Sequence, residues 1–434
     1  MTLAEAFGNF MQNIRIKNSE LISSRYAEIT STLNKYFRDT DSNTANSLQV
    51  GSIGRNTAIN GISDLDMLYI MPSISWNKYN SENGTYNILK DTKDAILSRY
   101  PKTEINVDRL VVTVQYIDFH IEVQPVFEQE DNSFKYPDTY QKIWKTTKPR
   151  EEINAISDFD NKKNKNVRNL CRMIRAWKDN VGVSIGGLLI DTLVYRFFEQ
   201  NREYDDKSFS SYHLMCKDFF KFLYEQPKQD YYLALGSNQQ VKVKENFQGK
   251  AKKAYNLSLE AIDNNNSDKL REIFGRKFPH IDIHKENSAF DGYSFNNTEE
   301  FIEDKYPVDI RYSLHIDCNI YQSIFRGYNL QKLSLRQMLS NDESLSVDRK
   351  LIFFIEKTDV PKPYKIKWKV LNRGPEAEKK DDIRGQIIDG DNGNNDIRTE
   401  YTKFKGNLFV ECYIIKDNIV VARDRILVPI VNNE

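Results

Sequence analysis

The spacing of apolar residues changes near residue 300, and this change constrains the fold more than any other feature of the chain. Before it, apolar side chains recur at intervals of three and four over 3–38, 83–99 and 166–262, which is typical of helices with one buried face. After it, short apolar runs alternate with Asn, Gly and Asp turns, as strands of a sandwich do. Strand patterns also occur near 66–71 and 110–123. The pattern therefore predicts an α+β protein with a β-rich module in its last third.

Length and charge exclude several classes of protein. The chain has 434 residues, more than one ordinary domain needs, and 39% of them are hydrophobic, so it can build packed cores. Lys plus Arg and Asp plus Glu each number 62. This zero net charge disfavours a general polyanion-binding protein, and the basic tracts at 162–168 and 242–253 are interpreted as solvated helix faces. Nucleic acid is therefore not favoured as a partner.

Cysteine spacing and the N-terminal segment both indicate a cytoplasmic protein. Cys171, Cys216, Cys318 and Cys412 are scattered without a C-x-x-C pair, which predicts buried reduced thiols rather than a structural zinc site. Residues 1–17 lack a basic region followed by an apolar run, so they are not expected to be a signal peptide. No stretch approaches the roughly 20 apolar residues that a membrane-spanning helix needs. We expect no association with membranes.

A Gly-Ser pair and two carboxylates form the candidate reaction centre. Gly51-Ser52 precedes Asp64-Leu65-Asp66, which begins a predicted strand that ends at Pro72. Side chains two apart on a strand share a face, so both carboxylates can meet one ligand. Carboxylates held together repel one another unless a cation lies between them. Two Mg²⁺ ions about 4 Å apart, bound by such oxygens, are what an in-line nucleotidyl transfer requires.

Glycine and serine at positions 51 and 52 suit a phosphate-binding loop. Glycine lets the backbone approach a ligand closely, and the Ser52 hydroxyl and neighbouring amides can hold phosphate oxygens. A Gly-Ser pair alone is more often a simple turn, and a lone D-x-D is more often a solvated strand end. Their conjunction at this spacing is far more specific.

A third carboxylate is expected on the hairpin that follows. Glu122 lies between Ile121 and Val123 inside a predicted strand. A carboxylate between apolar residues is costly to bury unless it binds a partner such as a metal ion. Asp118 is an even number of residues from Glu122, so strand alternation alone would place both side chains on the same face. However, Asp118 falls at the predicted hairpin turn, where Asp is common because its side chain bonds to the turn backbone. We favour Glu122. His120 shares its face and is interpreted as a packed side chain rather than a ligand.

The pattern G-S-x(11)-D-L-D followed by I-E-V-Q-P resembles the polymerase-β-like nucleotidyltransferase superfamily, and within it the bacterial CD-NTases. These enzymes are similar to cyclic GMP-AMP synthase and oligoadenylate synthase and make signals for anti-phage defence. The resemblance covers roughly residues 1–285. It implies that Asp64, Asp66 and Glu122 are catalytic acids that bind two Mg²⁺ ions, with Mn²⁺ as a substitute. It also implies that Gly51 and Ser52 contact the donor triphosphate.

The stretch NLCRMIRAWKDN is similar to a helix that presents a cation to the triphosphate in these relatives. Arg175 and Lys178 occupy the corresponding places, with Arg where Lys is usual. For each of them a solvated basic helix face is the alternative. Gly186-Gly187 follows, and Gly187 either lets the backbone approach the nucleotide or belongs to a helix cap, which is slightly favoured.

The last third of the chain resembles the AGS-C domain, which occurs fused to such nucleotidyltransferases and has been assigned a sensor role. Its recognisable marks are Trp368, Asn372, Gly374, Glu411 and Cys412. Trp368 and Cys412 are expected to be core residues rather than ligand contacts. A polar segment at 284–300 is interpreted as the linker that precedes this module.

These observations predict three parts: a polymerase-β-like catalytic core over 1–160, a helical lobe over 161–285 that closes the nucleotide cleft, and a sandwich-like β domain over 300–434. By resemblance, nucleoside triphosphates would be joined into a cyclic di- or trinucleotide second messenger, with release of pyrophosphate, for a downstream effector. The C-terminal domain would be the place for a regulatory ligand. Linear oligonucleotides, nucleotidylation of a protein or RNA, and an inert nucleotide-binding adaptor are the alternatives.

Overall fold

A computed structural model describes the following residues: 2–263, 267–280, 299–324, 327–330, 334–341, 343–373, 384–391, 395–403 and 405–431. They fall into two compact units. The first holds the described residues up to 280 apart from 42–47, and the second holds 42–47 together with those from 299 onward. The predicted linker at 284–300 lies almost wholly outside the described residues, as does Gly374.

The helices in chain order are α1 (Leu3–Ile14), α2 (Ser19–Arg38), α3 (Gly51–Gly54), α4 (Trp76–Tyr79), α5 (Gly84–Arg99), α6 (Pro149–Asn161), α7 (Asn166–Val181), α8 (Gly187–Gln200), α9 (Tyr212–Glu225), α10 (Gln248–Asp263), α11 (Ser267–Phe274) and α12 (Leu335–Ser340).

The strands up to residue 242 are β1 (Ser47–Gln49), β2 (Asp64–Ile70), β3 (Ile105–Val107), β4 (Val112–Gln115), β5 (His120–Glu128), β6 (Phe134–Asp138), β7 (Ile143–Thr147), β8 (Tyr231–Leu233) and β9 (Gln240–Lys242). Those of the second unit are β10 (Leu314–Ile324), β11 (Gly327–Leu330), β12 (Leu345–Ser346), β13 (Arg349–Thr358), β14 (Lys365–Arg373), β15 (Ile387–Ile388), β16 (Ile397–Tyr401), β17 (Gly406–Lys416) and β18 (Ile419–Val431).

A mixed sheet with the order β1-β2-β5-β4-β3 organises the first part of the chain, and β6 and β7 extend it from β5. Strands β2 and β5 are parallel, with Asp66 opposite Glu122 and Asp64 opposite His120. Leu65, Met67 and Tyr69 point the other way and are buried together with apolar residues of α2 and α5. Because strand side chains alternate, Asp64 and Asp66 lie on the face that these helices leave open.

Two details of this region differ from the sequence prediction. The helix expected over 3–38 is two helices, because Arg15 adopts an extended conformation that ends α1. Pro125 was expected to end the hairpin, but β5 continues through it to Glu128. The antiparallel ladder with β4 reaches only Val123, so no amide of residue 125 is needed on that side.

A helical core lies beside the sheet within the same unit. Helices α6 to α11 bury their apolar faces together, with Trp177 against Phe220 near the centre. The N-terminal helix joins this core rather than the sheet, since Phe7 and Phe10 both pack on Phe278. The contacts do not divide the first unit at residue 160, so that boundary stays a prediction.

The second unit is a pair of sheets around one apolar core. One sheet has the order β11-β10-β13-β16 and the other β12-β18-β17-β14-β15. Buried residues of both sheets form a single cluster, which includes Cys318 and Phe353 on one side and Trp368 and Cys412 on the other. This arrangement confirms the predicted all-β, sandwich-like domain. Trp368 and Cys412 are paired across neighbouring strands and fully buried, so they are core residues as predicted.

All four cysteines are buried and free of disulfides, as the sequence predicted. Burial raises the pKa of the Cys171 and Cys216 thiols. No helix in the described part of the chain is long and apolar enough to cross a membrane.

Candidate active site

A cavity of about 590 Å³ opens between the sheet and the helical core of the first unit. Gly51, Ser52, Asp64 and Asp66 line it from the sheet side. Helix α7 contributes Arg175, Lys178 and Asp179, and the other walls come from β7 and the β8–β9 hairpin. The cavity thus brings together the two motifs that were expected to bind nucleotide and the Asp-Leu-Asp pair, which the sequence analysis identified separately. Glu122 is not among the residues that line it.

Gly51 begins the short helix α3 directly against the carboxylate of Asp66. Its φ of 61° lies in the left-handed region, and a Cβ at this position would fall 1.8 Å from Asp66 Oδ2. The preceding amide of Val50 donates to the carbonyl of Asp66 over 3.0 Å. Only glycine tolerates both the conformation and the contact. The close approach seen here is made to a carboxylate of the protein itself, and the predicted approach of Gly51 to a phosphate ligand stays a prediction.

Three carboxylates concentrate negative charge on one face of the sheet. Asp66 is partly buried between Asp64 and Glu122. Burial, with the charges of Asp64 and then Glu122, raises the pKa of Asp66 to about 6, against the opposing effect of Arg55 and His120. A carboxyl group that is hard to ionise in isolation is one that a bound cation would stabilise in its charged form.

The donor set has the chemistry that Mg²⁺ prefers, because carboxylate oxygens are hard ligands. As the side chains are placed, however, no group of three or more His, Cys, Asp or Glu residues in the described part of the chain could hold a metal ion. Asp64 instead accepts a hydrogen bond of 2.6 Å from the Ser63 hydroxyl. Glu122 lies 3.4 Å from His120 Nε2. The residues therefore fit a cation in type and charge, and they would have to turn toward one another to bind it.

Asp118, the competitor for the third carboxylate, lies apart from this face. It is exposed in the turn between β4 and β5, next to the fully exposed Ile117. Glu122 lies inside β5 and is paired with Asp66 across the parallel ladder. The geometry agrees with the choice of Glu122, whose catalytic role stays a prediction.

Arg175 lines the cavity and forms a buried ion pair with Asp191. Its Nη1 and Nη2 atoms donate to the two oxygens of Asp191 over 2.6 and 2.9 Å, and Nη2 also donates to the Gly187 carbonyl over 3.1 Å. A second bond from Nη1 reaches the Cys171 carbonyl. The basic face proposed as its alternative role is not solvated, because only 7% of Arg175 is exposed. Its part in nucleotide binding stays a prediction, and its Nη donors are already in use.

Lys178 lies one turn further along α7 and is more open. About a third of its side chain is exposed, and its contact with Asp179 is long, at 4.0 Å. It therefore presents to the cavity a cation that is held less firmly than Arg175. Gly186 is the N-terminal cap of α8 and Gly187 its first residue, which agrees with the favoured capping interpretation. Gly187 also leaves room for Arg175, whose Nη2 would lie 3.2 Å from a Cβ there.

The sequence analysis missed three residues that line or brace this cavity. Arg55 follows α3, and Glu152 and Asp191 come from α6 and α8. All three are buried, and Arg55 contacts both acids. Asp191 stands in the apolar run GLLIDTLV, so the signal that identified Glu122, an acid flanked by apolar residues, also applied here.

The basic tract at 162–168 also differs from its interpretation as a solvated face. Lys163 is buried against Asp205, with 2.6 Å between Nζ and Oδ2, and Arg168 is buried as well.

Two family models match the chain, one at each end of the described architecture. Residues 1–160 match the Second Messenger Oligonucleotide or Dinucleotide Synthetase domain, and residues 296–431 match the Adenylyl/Guanylyl and SMODS C-terminal sensor domain. The first 160 residues therefore have the features of a second-messenger synthetase domain and the last third has those of an AGS-C domain, the pairing that the sequence resemblance implied.

Individual relatives are distant. A probable cyclic nucleotide synthase of Bacillus cereus (strain VD146) is 24% identical over an alignment that covers 36% of this chain. That alignment spans 56% of the relative, so the chain matches only about half of the relative's length. CdnC of E. coli MS115-1, in its complex with HORMA-deltaN, has a TM-score of 0.51 and 12% identity over 64% of this chain and 98% of that one. At this identity the likeness concerns the fold alone. The same CdnC with ATP has a TM-score of 0.49, with 12% identity over 64% of this chain and 99% of that one.

Proposed function

We propose that this protein is a CD-NTase that joins nucleoside triphosphates through attack of a 3′-hydroxyl on an α-phosphate, with release of pyrophosphate, and that its product is a cyclic di- or trinucleotide. The observation that carries the proposal is the contact between Gly51 and Asp66. A loop suited to phosphate and a carboxylate suited to metal meet in one cavity, where a transferring phosphoryl group needs both.

The proposed role of each cavity residue follows from its charge. Ser52 and the backbone that follows Gly51 would hold oxygens of the donor triphosphate, and Lys178 would add a cation from the opposite wall. Asp64, Asp66 and Glu122 would hold two Mg²⁺ ions, with Mn²⁺ as a substitute. When bound, the ions supply charge neutralisation and lower the pKa of the attacking hydroxyl.

Binding of metal would begin with a rearrangement of carboxylates. Asp64 would exchange its bond to Ser63, and Glu122 its contact with His120, for the ion. One of these carboxylates, with Glu122 as the first candidate, would accept the proton of the attacking hydroxyl or lower its pKa as a ligand. The raised pKa of Asp66 supports a cation at this place, because burial and the charges of Asp64 and Glu122 destabilise its carboxylate and a bound cation would offset that repulsion.

The product would serve as a second messenger in CBASS-type anti-phage defence in the cytoplasm, where nucleoside triphosphates are available, and a separate effector would bind it. The C-terminal sandwich supports a regulatory part for residues 300–434. Its sheets carry a core of their own. We propose that a regulatory ligand acts there.

The experiment is incubation of the full chain with each α-³²P-labelled nucleoside triphosphate and Mg²⁺, followed by phosphatase digestion. The α-label of each internucleotide phosphodiester resists phosphatase in both products. A cyclic product has no terminal phosphate and is unchanged by the digestion, whereas a linear product loses its 5′-phosphates, including the labelled α-phosphate, and changes its mobility and mass. Label on protein or RNA would indicate nucleotidylation instead. A chain that binds nucleotide but releases no pyrophosphate would be an inert adaptor, and the proposal would be wrong.

A further inference from the structure

One wall of the cavity is a strand at the end of its sheet. Strand β7 pairs with β6 on one side, and no strand pairs with its other side in the described part of the chain. Thr146 and Thr147 of this strand line the cavity. The outer edge of such a strand presents backbone N–H and C=O groups that need other partners. The position of this wall therefore depends on what binds that edge.

The side chain of Gln239 binds the outer edge of β7. Its Nε2 donates to the Thr146 carbonyl over 2.8 Å, and its Oε1 accepts a bond of 3.1 Å from the Lys148 amide. A residue of a parallel strand makes the same kind of pair, to the carbonyl of one residue and to the amide two positions further along. The side-chain amide of Gln239 thus takes the place of one residue of a neighbouring strand.

The helical core holds the turn between β8 and β9 from which this side chain extends. Gly236 of the turn lies directly on α6, since its φ is 69° and an added Cβ would fall 2.3 Å from the Glu151 carbonyl oxygen. The next residue, Ser237, is buried, and its hydroxyl donates to Glu152 Oε1 over 3.1 Å. The turn is therefore fixed to α6 at one end, and the side chain of Gln239 connects it to β7 at the other.

We propose that Gln239 is a positioning residue for the nucleotidyl transfer, because its two bonds hold the β7 wall of the cavity at a fixed distance from the helical core. This inference rests on the proposed function. Gln239 acts through Thr146 and Thr147, which form the wall against which a nucleotide lies. A wall that is in place before the nucleotide arrives need not be ordered during binding, so these bonds lower KM.

Asn164 provides a matched control in the same unit. Its Nδ2 donates to the carbonyls of Asp206 and Lys207, the nearer over 3.0 Å, so it also joins two distant segments through a side-chain amide. None of these three residues lines the cavity. Asn164→Asp and Gln239→Glu both replace an amide donor with a carboxylate oxygen of the same size, and each places that oxygen against a backbone carbonyl.

The experiment measures KM and kcat for nucleoside triphosphate in the full-length wild type, Gln239→Glu, Gln239→Met and Asn164→Asp. We expect both Gln239 variants to raise KM about tenfold or more, with kcat changed far less, because contacts with the wall are common to ground and transition states. Asn164→Asp should keep KM within about twofold. A variant that only loses stability has fewer folded molecules, which lowers the apparent kcat and leaves KM unchanged, so the two constants separate positioning from folding.

Amide hydrogen exchange in peptides that cover residues 143–150 tests the same bonds without turnover. The Lys148 amide should exchange about tenfold faster or more in Gln239→Met, whose side chain offers it no oxygen, and at the wild-type rate in Asn164→Asp.

Wild-type KM in the Gln239 variants would overturn the inference, as would unchanged exchange at Lys148 in Gln239→Met or an equal rise of KM in Asn164→Asp. Gln239→Glu keeps the length and polarity of the side chain, so its KM decides the matter even if Gln239→Met fails to fold. A wild-type chain that forms no product would contradict the proposed function. The exchange comparison would then support or overturn the inference by itself.

Discussion

Gly51 and Asp66 approach so closely that a single methyl group on Gly51 would overlap the Asp66 carboxylate, with 1.8 Å between the added Cβ and Oδ2. Fifteen positions separate the two residues in the sequence. The contact joins the loop proposed to bind phosphate to the strand that carries Asp64 and Asp66, and it leaves no room for a side chain at position 51.

Gly51→Ala should therefore abolish most of the activity. Gly182→Ala is the matched control, because Gly182 has nearly the same φ, 62°, but no atom within 4 Å of an added Cβ. Each variant should lose about 1 kcal/mol of stability from the left-handed backbone, with a further loss at Gly51 from the overlap. Pyrophosphate release should fall in Gly51→Ala alone. Equal activity of the two variants would contradict the assigned role of the contact.

Glu122→Gln should lower the rate of pyrophosphate release by about a hundredfold or more, since it removes a charge opposite Asp66 where metal is proposed to bind. Asp118→Asn should cost little, because that side chain is exposed in a turn. The comparison uses both variants at saturating Mg²⁺. If Asp118→Asn lost pyrophosphate release and Glu122→Gln kept it, Asp118 and not Glu122 would be the third catalytic carboxylate.

The raised pKa of Asp66 predicts how stability depends on pH without metal. The folded value is about 6 and an unfolded Asp titrates near 3.9, so the folded state binds the proton more tightly. The stabilisation of the folded state by this proton on Asp66 is complete below about pH 4 and is lost as the pH rises through about 6.

This effect is measured in chelator, as the difference in unfolding free energy between wild type and Asp66→Asn. The difference should shrink or reverse between pH 4 and 7. Addition of Mg²⁺ at pH 7 should then raise the melting temperature of the wild type and leave that of Asp66→Asn unchanged. Equal responses of both proteins to Mg²⁺ would show that Asp66 does not bind the ion.

Trp368→Ala should destabilise the second unit selectively. Trp368 is fully buried among residues of both sheets, and its Nε1 donates to the Asn395 carbonyl over 2.8 Å. Loss of such a side chain costs about 3–5 kcal/mol. In calorimetry we expect one unfolding transition to move to lower temperature while the other, assigned by its response to nucleotide, stays in place. A single transition that moves as a whole would indicate that the two units unfold together.

Local patterns in the sequence were sufficient for the strands that carry the acids and for the longest strands of the second unit. The position of Glu122 opposite Asp66 depends on the register between β2 and β5, which neither strand sets alone. Alternation along β2 predicted that Asp64 and Asp66 share a face, because a single strand sets that relationship by itself. The five C-terminal strand predictions correspond to β10, β13, β14, β17 and β18 for the same reason.

Contacts between distant segments could not be predicted in this way. Arg55 and Asp191 are 136 residues apart, and no periodicity indicates that one carboxylate will accept bonds from two arginines. The same holds for Arg175, whose placement on the cavity side of α7 was predicted but whose partner on α8 was not. Such pairings depend on how the helices pack, and one sequence contains no direct record of that packing.

The most direct test of the account compares pyrophosphate release and product mass for the wild type and for Asp64→Asn with Asp66→Asn, each with all four nucleoside triphosphates and Mg²⁺. The wild type should release pyrophosphate and form a product with the mass of a cyclic di- or trinucleotide. The double variant should form none and keep a melting temperature equal to or above that of the wild type, because mutual repulsion of the carboxylates has been removed. Pyrophosphate release by the folded double variant at the wild-type rate would contradict the account.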